Sequence, residues 1–130
     1  DFAHSPSKVM ATTKAVKEQY PDRQVVACLE LHTYSSLNAD FLKQYESSLN
    51  AADEAVVFFS PEAVENKKLE PISKEQIFKA FSRTDLTVYI NPLEFKTYLQ
   101  EQQYDHKVLL LMSSGNYGGL NFDEIKNWVS

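Results

Sequence analysis

Val25-Val26-Ala27-Cys28-Leu29-Glu30-Leu31 is a short, almost unbroken apolar run. Such a run is the mark of a strand covered on both faces, which is the habit of parallel sheets. Ala55-Val56-Val57-Phe58-Phe59 repeats it, Thr87-Val88-Tyr89-Ile90 supplies a third strand and Lys107 to Met112 a fourth. Helical spacing fills the gaps. Ser5-Pro6 reads as an N-cap followed by proline at the first helical position, and Val9, Thr13, Val16 and Tyr20 mark one face until Pro21-Asp22 ends it. Asn38, Phe41, Leu42, Tyr45 and Leu49 restore the helical period. Ser73-Lys74-Glu75-Gln76 has capping-box form, with Ile77 and Phe81 inward. Asn91-Pro92 opens a helix carrying Leu93, Phe95, Tyr98 and Leu99, and a last helix runs from Phe122 to Val129. Ser60 to Pro71, the longest irregular and most polar segment, reads as a mobile surface excursion. Strands alternating with helices predict an α/β, Rossmann-like domain of three layers, its sheet mainly parallel. The first helix lacks the preceding strand that such a fold wants, so the chain reads as a fragment of something longer.

At 130 residues the chain fits one domain, spanning 1–130. Its 43% apolar content argues against disorder, and no apolar run approaches the ~20 residues of a membrane span. The net charge is −5, and no basic cluster exceeds Lys67-Lys68, which disfavours nucleic acid and a polybasic membrane anchor. Cys28, the single cysteine, can form no internal disulfide, as expected of a cytoplasmic chain. The opening Asp1-Phe2-Ala3-His4-Ser5-Pro6 is neither basic nor apolar and does not read as a signal peptide. All three glycines fall within Ser113-Ser114-Gly115-Asn116-Tyr117-Gly118-Gly119, a loop singled out for unusual backbone angles or close approach. A complete phosphate-binding P-loop is excluded, because no Lys-Ser/Thr pair follows the glycines.

Ligands of open parallel sheets bind at the carboxyl ends of the strands. Three polar loops fall there: Asp1 to Ser7, His32 to Ser36, and Ser113 to Gly119. Asp1 is either an acceptor for ribose hydroxyls or a frayed terminus. His4 either helps hold an anion at a helix N-terminus or is a surface residue before the cap. His32 to Ser36 either binds a ligand or caps the next helix. The glycine loop either wraps a carboxylate or phosphate with its amides, presenting Tyr117 at its tip, or makes a tight turn. His106 precedes a strand, away from that end, and reads as a solvated surface residue. Asp53-Glu54 and Asp123-Glu124 read as solvating or dipole-complementing groups at helix ends, and Cys28 as an inert core thiol. One cysteine excludes zinc clusters, and neither a Gly-x-Ser-x-Gly elbow nor a His-Glu-x-x-His helix occurs.

Asp1-Phe2-Ala3-His4-Ser5-Pro6 resembles the Asp-Tyr/Phe-Ala-His-x-Pro signature that opens the C-terminal domain of Mur ligases. The remaining landmarks follow in order: His32-Thr33-Tyr34-Ser35 after a buried strand, Ala51-Ala52-Asp53-Glu54-Ala55-Val56 before the next, and Leu110 to Gly119 near the end. The last looks most like the Met-Ser-Asn-Gly-x-Phe-Gly-Gly stretch of the murein tripeptide ligases. The resemblance covers essentially the whole chain. It implies an ATP- and Mg2+-dependent, amide-forming enzyme of three domains, in which an N-terminal domain holds UDP-N-acetylmuramate and a central one carries the P-loop and most of the nucleotide. The C-terminal domain closes over both with the incoming amino compound, here L-Ala-γ-D-Glu-meso-diaminopimelate. By resemblance Asp1 would bind the ATP ribose and His4 lie near the nucleotide. Ser5, His32, Thr33, Tyr34, Ser36, Ser113, Asn116, Tyr117 and Gly118 would face the muropeptide substrate. The L-alanine-adding relatives read His-Arg-Tyr-x-Arg in the loop that begins at His32, whereas Thr33 and Ser36 stand at those arginine positions here. Neither can replace a bidentate guanidinium, and the only arginines, Arg23 and Arg83, lie outside the three loops. That departure points to the peptide rather than L-alanine, which is the runner-up within the family; the alternative from another class is a stand-alone nucleotide- or peptide-binding α/β module without ligase activity.

Overall fold

The computed structural model describes residues 5–33, 36–113, 115 and 117–129. Asp1, His4, Tyr34 and Asn116, singled out above, lie outside the described residues. Helix α1 (Pro6–Gln19) leads into β1 (Gln24–Leu31), and α2 (Ala39–Leu42) with a 3-10 turn (Lys43–Tyr45) leads into β2 (Glu54–Phe59). Two helices, α3 (Pro61–Asn66) and α4 (Lys74–Phe81), precede β3 (Thr87–Tyr89). Finally α5 (Pro92–Glu101), β4 (Lys107–Met112) and α6 (Phe122–Val129) complete the chain. The strands pair in parallel in the order β3-β2-β1-β4.

The central position of β1 explains its composition. Leu29 pairs with Val57 on one side and Met112 on the other, so neither edge nor either face of the strand meets water. Val25, Ala27, Leu29 and Leu31 join the core under α1, α2 and α4, while Val26 and Cys28 join the core under α5 and α6. Period-two alternation therefore feeds two cores at once, and both must be apolar. Burial pushes the Cys28 thiol far above its ordinary range, as an inert core thiol requires.

Several expectations are corrected. The helical spacing from Asn38 to Leu49 breaks after one turn, and Ser47 takes a φ of 65°. Leu42, Tyr45 and Leu49 are nonetheless buried, because one turn of α2, the 3-10 turn and the loop after it bring their side chains into one core, where Tyr45 stacks on Phe81 at 5.3 Å. The segment Ser60 to Pro71 is partly helical: the Ser60 hydroxyl caps α3 by accepting from the Ala63 amide, and Val64 is buried. Asp53 and Glu54 complement no helix. They stand at the amino end of β2, where Asp53 Oδ2 accepts from the Val25 amide at 2.7 Å and from Lys17 Nζ at 2.8 Å. Glu54 accepts from the Tyr98 hydroxyl at 2.6 Å. Ser5 holds an extended N-cap backbone ahead of Pro6, although its side chain makes no cap hydrogen bond.

The chain leaves β1 toward β2, while β4 adds on the opposite side. Strand order therefore reverses between β1 and β4, and the loops from both strands leave that crevice at their carboxyl ends.

Candidate functional site

Glu30 occupies the penultimate position of β1, on the α5/α6 face one alternation beyond Cys28, and is 3% exposed. A buried carboxylate costs several kcal/mol unless its oxygens find donors. The glycine loop supplies them. The Ser113 hydroxyl and the Tyr117 amide, the latter at 3.0 Å, both donate to Oε1. The Gly115 amide in turn donates to Ser113 Oγ at 2.7 Å. Gly115 has to be small: a Cβ there would stand 3.0 Å from Glu30 Oε1 and 3.1 Å from His32 Cδ2. Gly118, at a φ of 75°, would set a Cβ 2.7 Å from Pro92 Cγ at the start of α5.

The loop thus meets a carboxylate with one hydroxyl and one amide, but the carboxylate is the protein's own. The Tyr117 and Gly115 amides are not available to a ligand anion. Tyr117 itself is a correction. Its backbone is left-handed (φ 55°), which folds the ring under the loop instead of presenting it at the tip. The ring is 1% exposed and stacks on Phe95 at 5.0 Å. Its hydroxyl points between the carbonyls of Cys28 and Met112, at 2.9 and 2.8 Å. Burial raises the phenol well above its usual value. A side chain so placed supports the sheet.

Across the crevice His32 is half exposed, its Nδ1 3.9 Å from Glu30 Oε2. Thr33 and Ser36 close a turn: the Thr33 hydroxyl donates to Ser36 Oγ at 2.9 Å, and the Ser36 hydroxyl to the Thr33 carbonyl at 3.1 Å. The Ser36 amide also donates to Thr33 Oγ1 at 3.1 Å. Ser36 is buried within this turn but caps no helix: Asn38 caps α2, its side chain accepting from the Asp40 amide at 2.9 Å. Ser113 is buried as well and spends its hydroxyl on Glu30. Among the described site candidates, His32, Thr33 and the Gly118 backbone keep access to solvent at the crevice, while Ser5 is half buried at the start of α1. Beside the loop an apolar cavity of about 650 Å³ runs between β4 and α6, walled by Leu109, Leu111, Phe122, Ile125 and Val129.

Sequence reasoning missed Glu30. The signal was present: one carboxylate inside a strand otherwise apolar on both faces has to be partnered.

Among the described residues no three His, Cys, Asp or Glu side chains converge as a metal-binding group.

No profile of a known family matches the chain. Individual proteins do. The UDP-N-acetylmuramate–L-alanine ligase of Caldanaerobacter subterraneus subsp. tengcongensis is 30% identical over 117 residues, covering 89% of this chain and 25% of that protein. The chain is a homologue of the Mur ligases. It spans about a quarter of the length of that Mur ligase. Two solved structures share the fold at 18% identity. The murein peptide ligase of Psychrobacter arcticus superposes with a TM-score of 0.66, over 100% of this chain and 27% of that one. A domain assigned to a UDP-N-acetylmuramate:L-alanyl-γ-D-glutamyl-meso-diaminopimelate ligase of Haemophilus ducreyi superposes with a TM-score of 0.60, over 98% of this chain and 87% of the domain. The parallel sheet flanked by helices is thus a Mur ligase architecture. Among the described residues no helix is long and apolar enough to cross a membrane.

Proposed function

We propose that this chain is the closing, C-terminal domain of a cytoplasmic Mur ligase that joins UDP-N-acetylmuramate to L-Ala-γ-D-Glu-meso-diaminopimelate. The enzyme would use ATP and Mg2+ to form a muramoyl phosphate, which the peptide's amine attacks. An N-terminal and a central domain of the same protein would hold the UDP-sugar and the nucleotide. The 130-residue chain alone would be inactive, lacking a P-loop. Asp1 would accept the ribose hydroxyls, His4 would lie near the nucleotide, and Ser5, Tyr34 and Asn116 would face the peptide.

The observation that carries the peptide reading is the closed turn at Thr33 and Ser36, whose hydroxyls bond to one another. No guanidinium stands there to clamp the carboxylate of a small amino acid. Arg83 cannot substitute, because it is spent at the far end of the sheet on the Leu49 and Asp53 carbonyls at 2.7 and 3.0 Å. A second reading, that L-alanine is the amine, is favoured by the Caldanaerobacter relative, which adds L-alanine.

Competition between the tripeptide and L-alanine in one reaction of the full-length enzyme, with products weighed by mass spectrometry, decides between them. The tripeptide should win by at least about tenfold in kcat/KM, equivalent to ~1.4 kcal/mol at the transition state. Equal incorporation, or an excess of the alanine product, gives the second reading. ATP-dependent amide formation by the 130-residue chain alone would refute its role as a dependent domain.

A further inference from the structure

Glu30 divides its two oxygens between the two loops of the crevice. Oε1 takes the Ser113 hydroxyl and the Tyr117 amide, while Oε2 faces His32 Nδ1 at 3.9 Å. The imidazole is bounded on its other flank by Gly115, where a Cβ would meet Cδ2 at 3.1 Å and Cγ at 3.2 Å. With Cγ and Cδ2 against Gly115 and Nδ1 toward the carboxylate, the Cε1–Nε2 edge is the part of this half-exposed ring left to the crevice. A carboxylate facing Nδ1 favours the neutral tautomer that carries its proton there, which leaves a lone pair on Nε2. The rest of the crevice agrees with an acceptor. Neither loop, 32–38 or 113–119, contains a lysine or arginine, and the Gly115 and Tyr117 amides already serve Ser113 and Glu30.

We propose that Glu30 is a positioning residue that sets His32 with its Nε2 lone pair facing the crevice, as the acceptor for the amino group of an incoming amine substrate. The identity of the amine rests on the ligase reading; the Glu30–His32 arrangement does not. Glutamate and glutamine differ here in one respect. The bonds from Ser113 and Tyr117 need only an acceptor oxygen, which an amide supplies, whereas facing Nδ1–H needs the second carboxylate oxygen.

Two measurements on the full-length protein test this. In the first, nitrogen-15 spectra of histidine imidazoles, with His32→Asn to assign the signal, read the neutral tautomer without any ligand. Wild type should show the Nδ1–H form and Glu30→Gln a shift to Nε2–H, with the melting temperature little changed. A wild-type ring already in the Nε2–H form overturns the proposal, whatever the enzyme's substrate. In the second, Glu30→Gln and His32→Ala should each raise KM for the tripeptide amine by about tenfold, leaving kcat and the KM for ATP within about twofold. The double variant should be no worse than His32→Ala, because Glu30 acts through the ring. Effects that multiply to about a hundredfold would mean the two residues act separately and would sink the idea. If Glu30→Gln fails to fold, Gly115→Ala decides, since its added methyl would meet both Glu30 Oε1 at 3.0 Å and the His32 ring at 3.1 Å and so disturb their relation with both residues retained. It should raise the amine KM about threefold, and an unchanged KM counts against the proposal. A wild-type enzyme that uses neither the tripeptide nor L-alanine defeats the ligase reading alone, and the tautomer result then stands by itself.

Discussion

At the amino end of the sheet Asp53 meets Lys17 at 2.8 Å and the Val25 amide at 2.7 Å, with 38% of its side chain in water. At the carboxyl end Glu30 meets a hydroxyl and an amide, is 3% exposed, and pairs with no lysine or arginine among the described residues. Two carboxylates on neighbouring strands of one sheet are thus held in opposite ways. The exposed one is paired with a cation, which ties the α1 helix to the strand ends and can be broken cheaply. The buried one is surrounded by neutral donors, so its charge is balanced only through geometry, and the whole glycine loop is shaped to it. A strand end where the chain must merely turn can use ion pairs. One where two loops must stand in fixed relation uses a buried hydrogen-bonded group, because breaking that group costs far more.

The sharpest test of this contrast is Tyr117→Ala. If the carboxyl end is built like a core, removing a ring stacked on Phe95 and bonded to two carbonyls should cost about 3–5 kcal/mol in urea denaturation. A loss under about 1 kcal/mol would place the ring on the surface and dissolve the contrast. Gly118→Ala should have a smaller effect, about 1–2 kcal/mol, from a φ of 75° and a methyl 2.7 Å from Pro92 Cγ. A neutral result would show that the loop shifts freely. The smallest effect belongs to the amino end. The Lys17 bond and the Val25 amide hold the Asp53 carboxyl below its ordinary value. Its contribution to stability is therefore present above the unfolded carboxyl value, near pH ~4, and is lost as pH falls through the lower folded value. Lys17→Met should flatten that acid limb and change stability at neutral pH by less than about 1 kcal/mol, read from thermal melts across pH. An acid limb as steep as wild type's would mean that Lys17 does not hold Asp53.

The strands were legible because their signal is local. The run from Val25 to Leu31, and the boundaries Lys107–Met112 and Phe122–Val129, follow from spacing that nearby residues impose on one another. The stretch from Asn38 to Leu49 misled for the same reason. Its apolar residues keep a helical period, yet the period reflects where Leu42, Tyr45 and Leu49 must land in the core, and one helical turn, a 3-10 turn and a loop with a left-handed Ser47 deliver them equally well. In the candidate site, composition drew attention to two loops that meet at Glu30, the ones beginning at His32 and Ser113. It could not tell which of their groups face inward: Tyr117 looked like a tip and is core, Ser36 and Ser113 looked like ligand contacts and are spent on Thr33 and Glu30.

Hydropathy spacing was enough to establish an α/β chain with a parallel sheet, since burying both faces of a strand leaves a mark on every residue of it. Loop composition was enough to single out the loops after β1 and β4, since glycine is concentrated where the backbone must bend or approach closely. Only folding decided what the crevice contains. Glu30 and Ser113 are 83 positions apart, and nothing near either residue predicts the other. Their meeting depends on β4 docking beside β1 in one register, Leu29 against Met112, which carries the glycine loop over the carboxylate and gives its amides an internal partner. Pairing between distant strands is a property of the whole core, and so the character of the site was settled there.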